Sequence, residues 1–233
     1  MATTGICNSF KVEALQAGHC FNATQSSLAG AGGSGAFTIT GLATTAGLAV
    51  GMLAGGTNVG ASAYISAIQS ATSVTVSVAN SGTVTSGTIS FTGDVFKFLL
   101  IKVSPSLTYS ATQTNVGTPG TGTPTTSNVG TDECAATGGY SSGGFSLTNV
   151  TPALSSTTAT TSFSPSPSYT SATISTTAAI IYNSSTRLGA NATPLNGRCV
   201  GVYDFGGTQT VTGGTITFTM PTNAAGTAII QIA

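Results

Sequence analysis

Along most of the chain, apolar and polar positions alternate with a period of two. Phe37 and Ile39, then Val74, Val76 and Val78, then Ile89 and Phe91 are each separated by Thr or Ser. This is the pattern of strands with one inward face. Gly-rich turns part the runs. After Gly93-Asp94 the character changes, because residues 95–103 (VFKFLLIKV) are apolar on both faces; they are expected as an inner strand covered on both sides. Strand patterns return at 144–147, 159–163, 172–182 and 199–205. A hairpin is expected where 209–212 turns at Gly213-Gly214 into 215–220, with Ile216, Phe218 and Met220 on one face. Residues 228–232 give a last apolar strand.

Only one stretch reads as helix. Phe10, Ala14 and Ala17 recur at helical spacing, Asn8 or Ser9 can cap it, and Gly18 can end it. This helix is expected to pack through Phe10 on the inner strand. Residues 105–144 are rich in Thr, Gly, Ser and Pro without a convincing period, which predicts a long loop or an extended arm. The economical solution is all-β: an antiparallel β-sandwich (jelly-roll-like) body from residues 1–33 plus 94–233, with one short N-terminal helix. Residues 34–93 form an inserted small β-domain.

Composition sharpens this picture. Of 233 residues, 4% are charged, against roughly 25% in ordinary soluble domains. Five Lys or Arg balance five Asp or Glu, so there is no basic surface for nucleic acid. A mean hydropathy of +0.33 and the absence of net charge exclude disorder driven by charge repulsion. Acid–base side chains are scarce, which argues against a hydrolase or transferase. A neutral Ser/Thr/Gly surface is poorly protected against association. The start of the chain lacks the pattern of a secretory signal, and no window is apolar enough to span a bilayer. Synthesis and folding in a cytoplasm, with no membrane partner, are therefore expected.

The charges fall in groups. Lys11 and Glu13 sit in the helix, Asp94, Lys97 and Lys102 along the inner strand, Asp132 and Glu133 on the long loop, and Arg187, Arg198 and Asp204 in the later body. An Arg–Asp pair from the last group is expected to fix strand register. Residues 34–93 hold no charge.

Several motifs carry a chemical reading and a plainer one. Gly139-Tyr140-Ser141-Ser142-Gly143 fits G-x-S-x-G, yet its flanks are Gly-rich and the single His is far upstream; it reads as a flexible turn. The G-x-G-x-x-G at Gly30 to Gly35 precedes a strand and opens no helix, so it reads as a linker. His19 beside Cys20 lacks a second ligand pair and reads as structural. Cys7, Cys20, Cys134 and Cys199 read as thiols, with a Cys7–Cys20 bridge left open for an oxidising environment. The sequons at Asn22, Asn149, Asn183 and Asn191 read as chance matches in a Ser/Thr-rich chain. Phe96, Phe98, Phe145, Phe163, Tyr169, Tyr182, Tyr203, Phe205 and Phe218 read as core, and no Trp is present for sugar stacking. No catalytic, cofactor-binding or metal-ligating residue is expected.

The segments Asn8-Ser9-Phe10-Lys11-Val12-Glu13, Gly18-His19, Gly93-Asp94-Val95-Phe96-Lys97 and Thr137 to Gly144 resemble a family of tailed-bacteriophage virion structural proteins. The resemblance continues through Ser171-Ala172-Thr173-Ile174, Ile180-Ile181-Tyr182-Asn183 and Val202-Tyr203-Asp204-Phe205-Gly206-Gly207. Residues 34–93 are similar to small β-modules of phage fibres. The resemblance implies a virion structural protein and leaves its station on the particle open. Joined to the neutral, association-prone surface, it leads to the expectation of a capsid decoration, or cement, protein on the outer capsid surface, with the major capsid protein as partner and a homotrimer as the natural symmetric assembly. A fibre adhesin that binds a host receptor or glycan is the alternative.

Overall fold

Residues 2–186 and 194–233 are described by a computed structural model, in which the apolar run after Asp94 becomes the strand β8 (Phe96–Lys102). It lies inside a six-stranded antiparallel sheet ordered β1 (Gly5–Ile6), β14 (Arg198–Thr217), β13 (Ser168–Asn183), β8, β9 (Phe145–Asn149) and β12 (Phe163–Ser164). Ile180 stands between Leu99 and Val202, and Ile181 between Phe98 and Gly201. All six are buried, so β8 and the end of β13 from Ala178 are covered on both faces, whereas residues 168–176 of β13 keep one exposed face. A smaller sheet, β10 (Ala153–Ser155), β11 (Thr158–Thr161) and β15 (Ile230–Ile232), completes the all-β body.

The expected hairpin at Gly213-Gly214 does not form. β14 runs through both glycines in register with β13, with Gly214 opposite Ala172 and Val211 opposite Ile174. Gly213, at φ 62°, absorbs the extra residue as a bulge. A larger excursion follows from Gly206-Gly207: Gln209 pairs with Thr176 but Asp204 pairs with Ala178, so residues 205–208 face Thr177 alone. The strand curls, and Phe205 stacks on Phe218 at 4.8 Å between ring centres.

The helix α1 (Asn8–Leu15) begins one residue earlier than the expected caps allow. Cys7 is its N-cap, and Asn8 and Ser9 lie inside the first turn. At the other end Ala17, not Gly18, takes the left-handed conformation (φ 53°). Gly18 N–H then donates to Glu13 O (2.8 Å) and Ala17 N–H to Ala14 O (3.1 Å), a Schellman closure. Gly18 is needed because a Cβ there would lie 2.9 Å from the Glu13 carbonyl. Phe10 is the helix's buried residue, and it contacts Phe21, whose ring stacks on Phe96 of β8 at 4.7 Å.

Residues 25–92 build two three-stranded sheets. One is β2 (Gln25–Leu28), β7 (Ile89–Thr92) and β4 (Leu53–Gly55); the other is β3 (Thr38–Ile39), β6 (Ser73–Val76) and β5 (Ile65–Ser70). They enclose a second core that includes Ile39, Met52, Ile65, Val74, Ile89 and Phe91. The glycine run read as a linker belongs to this unit. Ala31 exchanges backbone hydrogen bonds with Thr40, and Val84 N–H donates to Gly32 O.

Residues 105–144 do not form a free arm. Tyr109, Val116, Val129 and Tyr140 are buried in the main core. The segment lacks strand ladders over most of its length, so its buried N–H groups need other acceptors. Carbonyls of scattered residues supply many, as from Val116 N–H to Gly197 O and from Val129 N–H to Val116 O, and two carboxylates take Ser106, Leu107 and Gly143 N–H.

Candidate functional site

Asp132 and Glu133 are 0% and 5% exposed. Asp132 ends a short 3-10 turn, Gly130–Asp132, and Glu133 caps it, and the two serve opposite ends of the long loop. Asp132 Oδ1 accepts from Ser106 N–H (2.9 Å), and Oδ2 accepts from Leu107 N–H (3.0 Å) and Tyr109 O–H (3.0 Å). Lys102 Nζ completes the shell at 3.1 Å. Burial raises the Asp132 pKa, but the donors from Ser106, Lys102, Leu107 and Tyr109 outweigh it and leave the carboxyl below its ordinary value. Burial, followed by the adjoining Asp132 charge, pushes the Tyr109 phenol far above its ordinary value.

Glu133 holds the G-x-S-x-G segment. Its Oε1 accepts from Tyr140 O–H (2.8 Å) and Gly143 N–H (2.6 Å), and its Oε2 accepts from Ser142 O–H (2.8 Å). Tyr140 Oη in turn accepts from Leu100 N–H of β8 (3.2 Å). The serine of the motif, Ser141, is exposed, and the lone His is committed elsewhere. The segment is a turn, as its flanks imply, but a fastened one.

His19 lies between Glu13 and Asn183. Its Nε2 is 2.9 Å from Glu13 Oε2, and its Nδ1 accepts from Asn183 Nδ2 (2.9 Å). The other Asn183 amide hydrogen goes to Asp94 Oδ2 (2.8 Å), which also accepts from Cys20 N–H (2.9 Å). Asp94 is 3% exposed, and its own N–H donates to Cys20 O. Residues 20 and 94 are thereby clasped at the base of the small β unit. Among the described residues no group of three His, Cys, Asp or Glu is placed to hold a metal ion.

The expected Arg–Asp register pair is absent among the described residues. Arg198 Nη1 pairs with Glu13 Oε1 at 3.3 Å, because the helix lies against the start of β14. Asp204 is exposed and accepts from Gly206 N–H in its own bulge. Arg187 and Asn191 lie outside the described residues. The other three sequon asparagines, Asn22, Asn149 and Asn183, each spend their amide on internal acceptors.

All four cysteine thiols are buried. Cys7 and Cys20 lie in different cores. Cys7 instead neighbours Cys199, since its N–H donates to Val200 O (2.9 Å). Burial, then contact with Cys7, pushes the Cys199 thiol well up. Burial raises Cys134 to about 11.

Three surface features remain. A cleft of about 690 Å³ opens where the long loop meets β13, with Glu133 and Lys102 in its wall. A second, more apolar groove of about 640 Å³ lies inside the curl of β14, lined by Phe98, Ile181, Tyr203, Phe205, Phe218 and Met220 among others. The nine expected core aromatics divide here: Phe96, Phe98, Phe163, Tyr169 and Tyr182 are buried, whereas Phe145, Tyr203, Phe205 and Phe218 are half-buried. Finally, Leu154, Ala159 and Ile232 stand directly opposite one another across β10, β11 and β15. Leu154 is 72% and Ile232 63% exposed, so this sheet presents an apolar row. Comparison with protein-family models, with curated proteins and with solved structures finds no match to this chain.

Proposed function

We propose that the chain is a structural subunit of a tailed-bacteriophage virion that decorates the capsid and bridges major capsid subunits on its outer surface. The observation that carries this reading is where the charge goes. Asp94, Asp132 and Glu133 are buried, and Glu13 is mostly covered within its ion pairs. Asp204 is the exposed acid among the described residues, and Lys11 the exposed base. The outside is thus hydroxyl and methyl groups with almost no charge to repel a neighbour. The apolar row of Leu154, Ala159 and Ile232 adds a contact point.

The mechanism is adhesive. Neutral sheet faces bury area against several capsomer contacts, and many weak contacts on one shell act collectively. Self-association as a homotrimer places identical faces at each contact. The resemblance of the helix, the Gly-Asp-Val-Phe-Lys strand and the Thr-Gly-Gly-Tyr turn to phage virion proteins supports the same reading. Quantitative mass spectrometry of purified virions tests it. The expected copy number is comparable with that of the major capsid protein; a copy number of a tail or vertex appendage favours the fibre adhesin and rejects decoration.

A further inference from the structure

We propose that the cleft between the long loop and β13 is a binding site for a neutral oligosaccharide. Its two charged groups each have unused capacity toward the same space. Glu133 Oε2 accepts one described hydrogen bond, from Ser142, and a carboxylate oxygen has room for a second. Residue 120 beside it is glycine at φ +81°, and a Cβ at that position would sit 3.5 Å from Oε2 and 3.3 Å from Ser142 Oγ, so any other side chain there would screen the carboxylate from the cleft that both residues line. Lys102 Nζ donates to Thr131 O (2.7 Å) and Asp132 Oδ1 (3.1 Å), which leaves a third N–H on a residue that lines the cleft.

The chemistry of the walls selects the ligand. One acceptor and one donor of opposite charge suit a diol, in which one hydroxyl donates to the carboxylate and its neighbour accepts from the ammonium. A ligand of one net charge would meet one of the two with the wrong sign, and a zwitterion such as alanine, which would not, is the competitor that the experiment below includes. Thr121, Thr173 and Ser175 already bond Thr118 O, Gly213 N–H and Thr210 Oγ1, but each hydroxyl keeps a spare lone pair, and with Thr137 they give the wall polar groups to meet sugar hydroxyls. Ala136 and Ile174 offer small apolar surface to sugar C–H faces. The volume lies within the range of small-ligand sites and accommodates a disaccharide. No aromatic ring lines the cleft, so stacking is missing and the affinity falls in the millimolar range. The inference stands apart from where on a particle the chain is placed.

The experiment is an amide NMR titration of the full chain with maltose, lactose, cellobiose and N,N′-diacetylchitobiose. Concentrations run to roughly ten times a millimolar Kd. Saturable shifts confined to residues such as Thr121, Ala135, Ala136 and Thr173 are expected with at least one sugar. Glu133→Gln is expected to weaken binding by about ten-fold or more, through loss of a charge-assisted acceptor. Ala136→Phe, on an exposed part of the wall, is expected to abolish it by filling the cleft while leaving the remaining spectrum in place. This second variant keeps the test sound if Glu133→Gln disturbs the turn. Absence of saturable shifts with all four sugars overturns the proposal. So do shifts that survive Ala136→Phe, or saturable binding of acetate or alanine at the cleft in place of the sugars.

Discussion

Replacing Asp132 by Asn changes one oxygen of a buried carboxylate and tests whether the long loop is fastened as described. The carboxylate accepts from two backbone N–H groups and a phenol, and Lys102 lies at 3.1 Å. An amide can serve the donors on only one of its two ends. The other end then sets an NH₂ group against donors, leaving either the part-buried N–H of Ser106 or that of Leu107 with the buried Tyr109 hydroxyl without its acceptor. Each charge-assisted bond contributes about 1.5–3 kcal/mol, and a stranded buried donor costs about 1–3 kcal/mol. Lys102, being partly exposed, adds little. The expected destabilisation is about 3 kcal/mol, or a Tm lower by roughly 6–12 °C for a chain of this size. Near-UV circular dichroism is the suitable assay, because five of the six tyrosines lie outside residues 25–92 and no Trp interferes. The pH dependence carries a sign as well. A folded-state pKa held below its ordinary value gives stability that is complete above the unfolded pKa of about 3.9. That stability is lost as pH falls through the lower folded value. Asp132→Asn lacks this component, so the gap between wild type and variant narrows below pH of about 4. Asp204→Asn, at an exposed bulge, is the control and shifts stability by less than about 0.5 kcal/mol. If Asp132→Asn melts with the wild type, or the gap does not narrow in acid, the fastening role is refuted.

Three other outcomes follow from the packing. Gly144→Ala places a methyl against the Phe98 carbonyl at a backbone φ of +82°, and a loss of about 3–5 kcal/mol is expected in urea melts; Gly33→Ala, where a Cβ meets nothing within 4 Å, stays within about 0.5 kcal/mol. The native chain should resist thiol titration with Ellman's reagent near neutral pH, since the thiols are buried, and should react fully once denatured; rapid native labelling of Cys134 would show that its cover opens easily. Leu154→Asp should shift sedimentation profiles toward monomer by charging the exposed apolar row, whereas an unchanged profile removes that row from the self-association surface.

Periodicity located the structured parts well where burial is local. Within the two-faced apolar run at 95–103, residues 96–102 became a doubly covered strand, and the lone segment with helical spacing became the helix. Glycine misled wherever its role depended on a distant partner. Gly213-Gly214 reads locally as a turn, yet β13 supplies a sixteen-residue strand against which it becomes a bulge. The run from Gly30 reads as linker until Thr40 and Val84 close on it. Asp132 and Glu133 stood out as a cluster of charge in a neutral loop. Their roles depend on donors at 106–109 and 140–143, brought there by long-range packing that leaves no periodic trace. An Arg–Asp pair among Arg187, Arg198 and Asp204 is the local expectation, but the helix brings Glu13 to Arg198. The hydroxyl-lined cleft had no signal of its own, since Thr and Ser are everywhere in the chain.

The most direct test of the proposed decoration role is a cryo-EM map of phage particles assembled with this chain. Density matching the curled six-stranded sheet, repeated over the outer capsid surface at contacts between major capsid subunits, is the predicted result. Density for the chain confined to the tail would contradict the account.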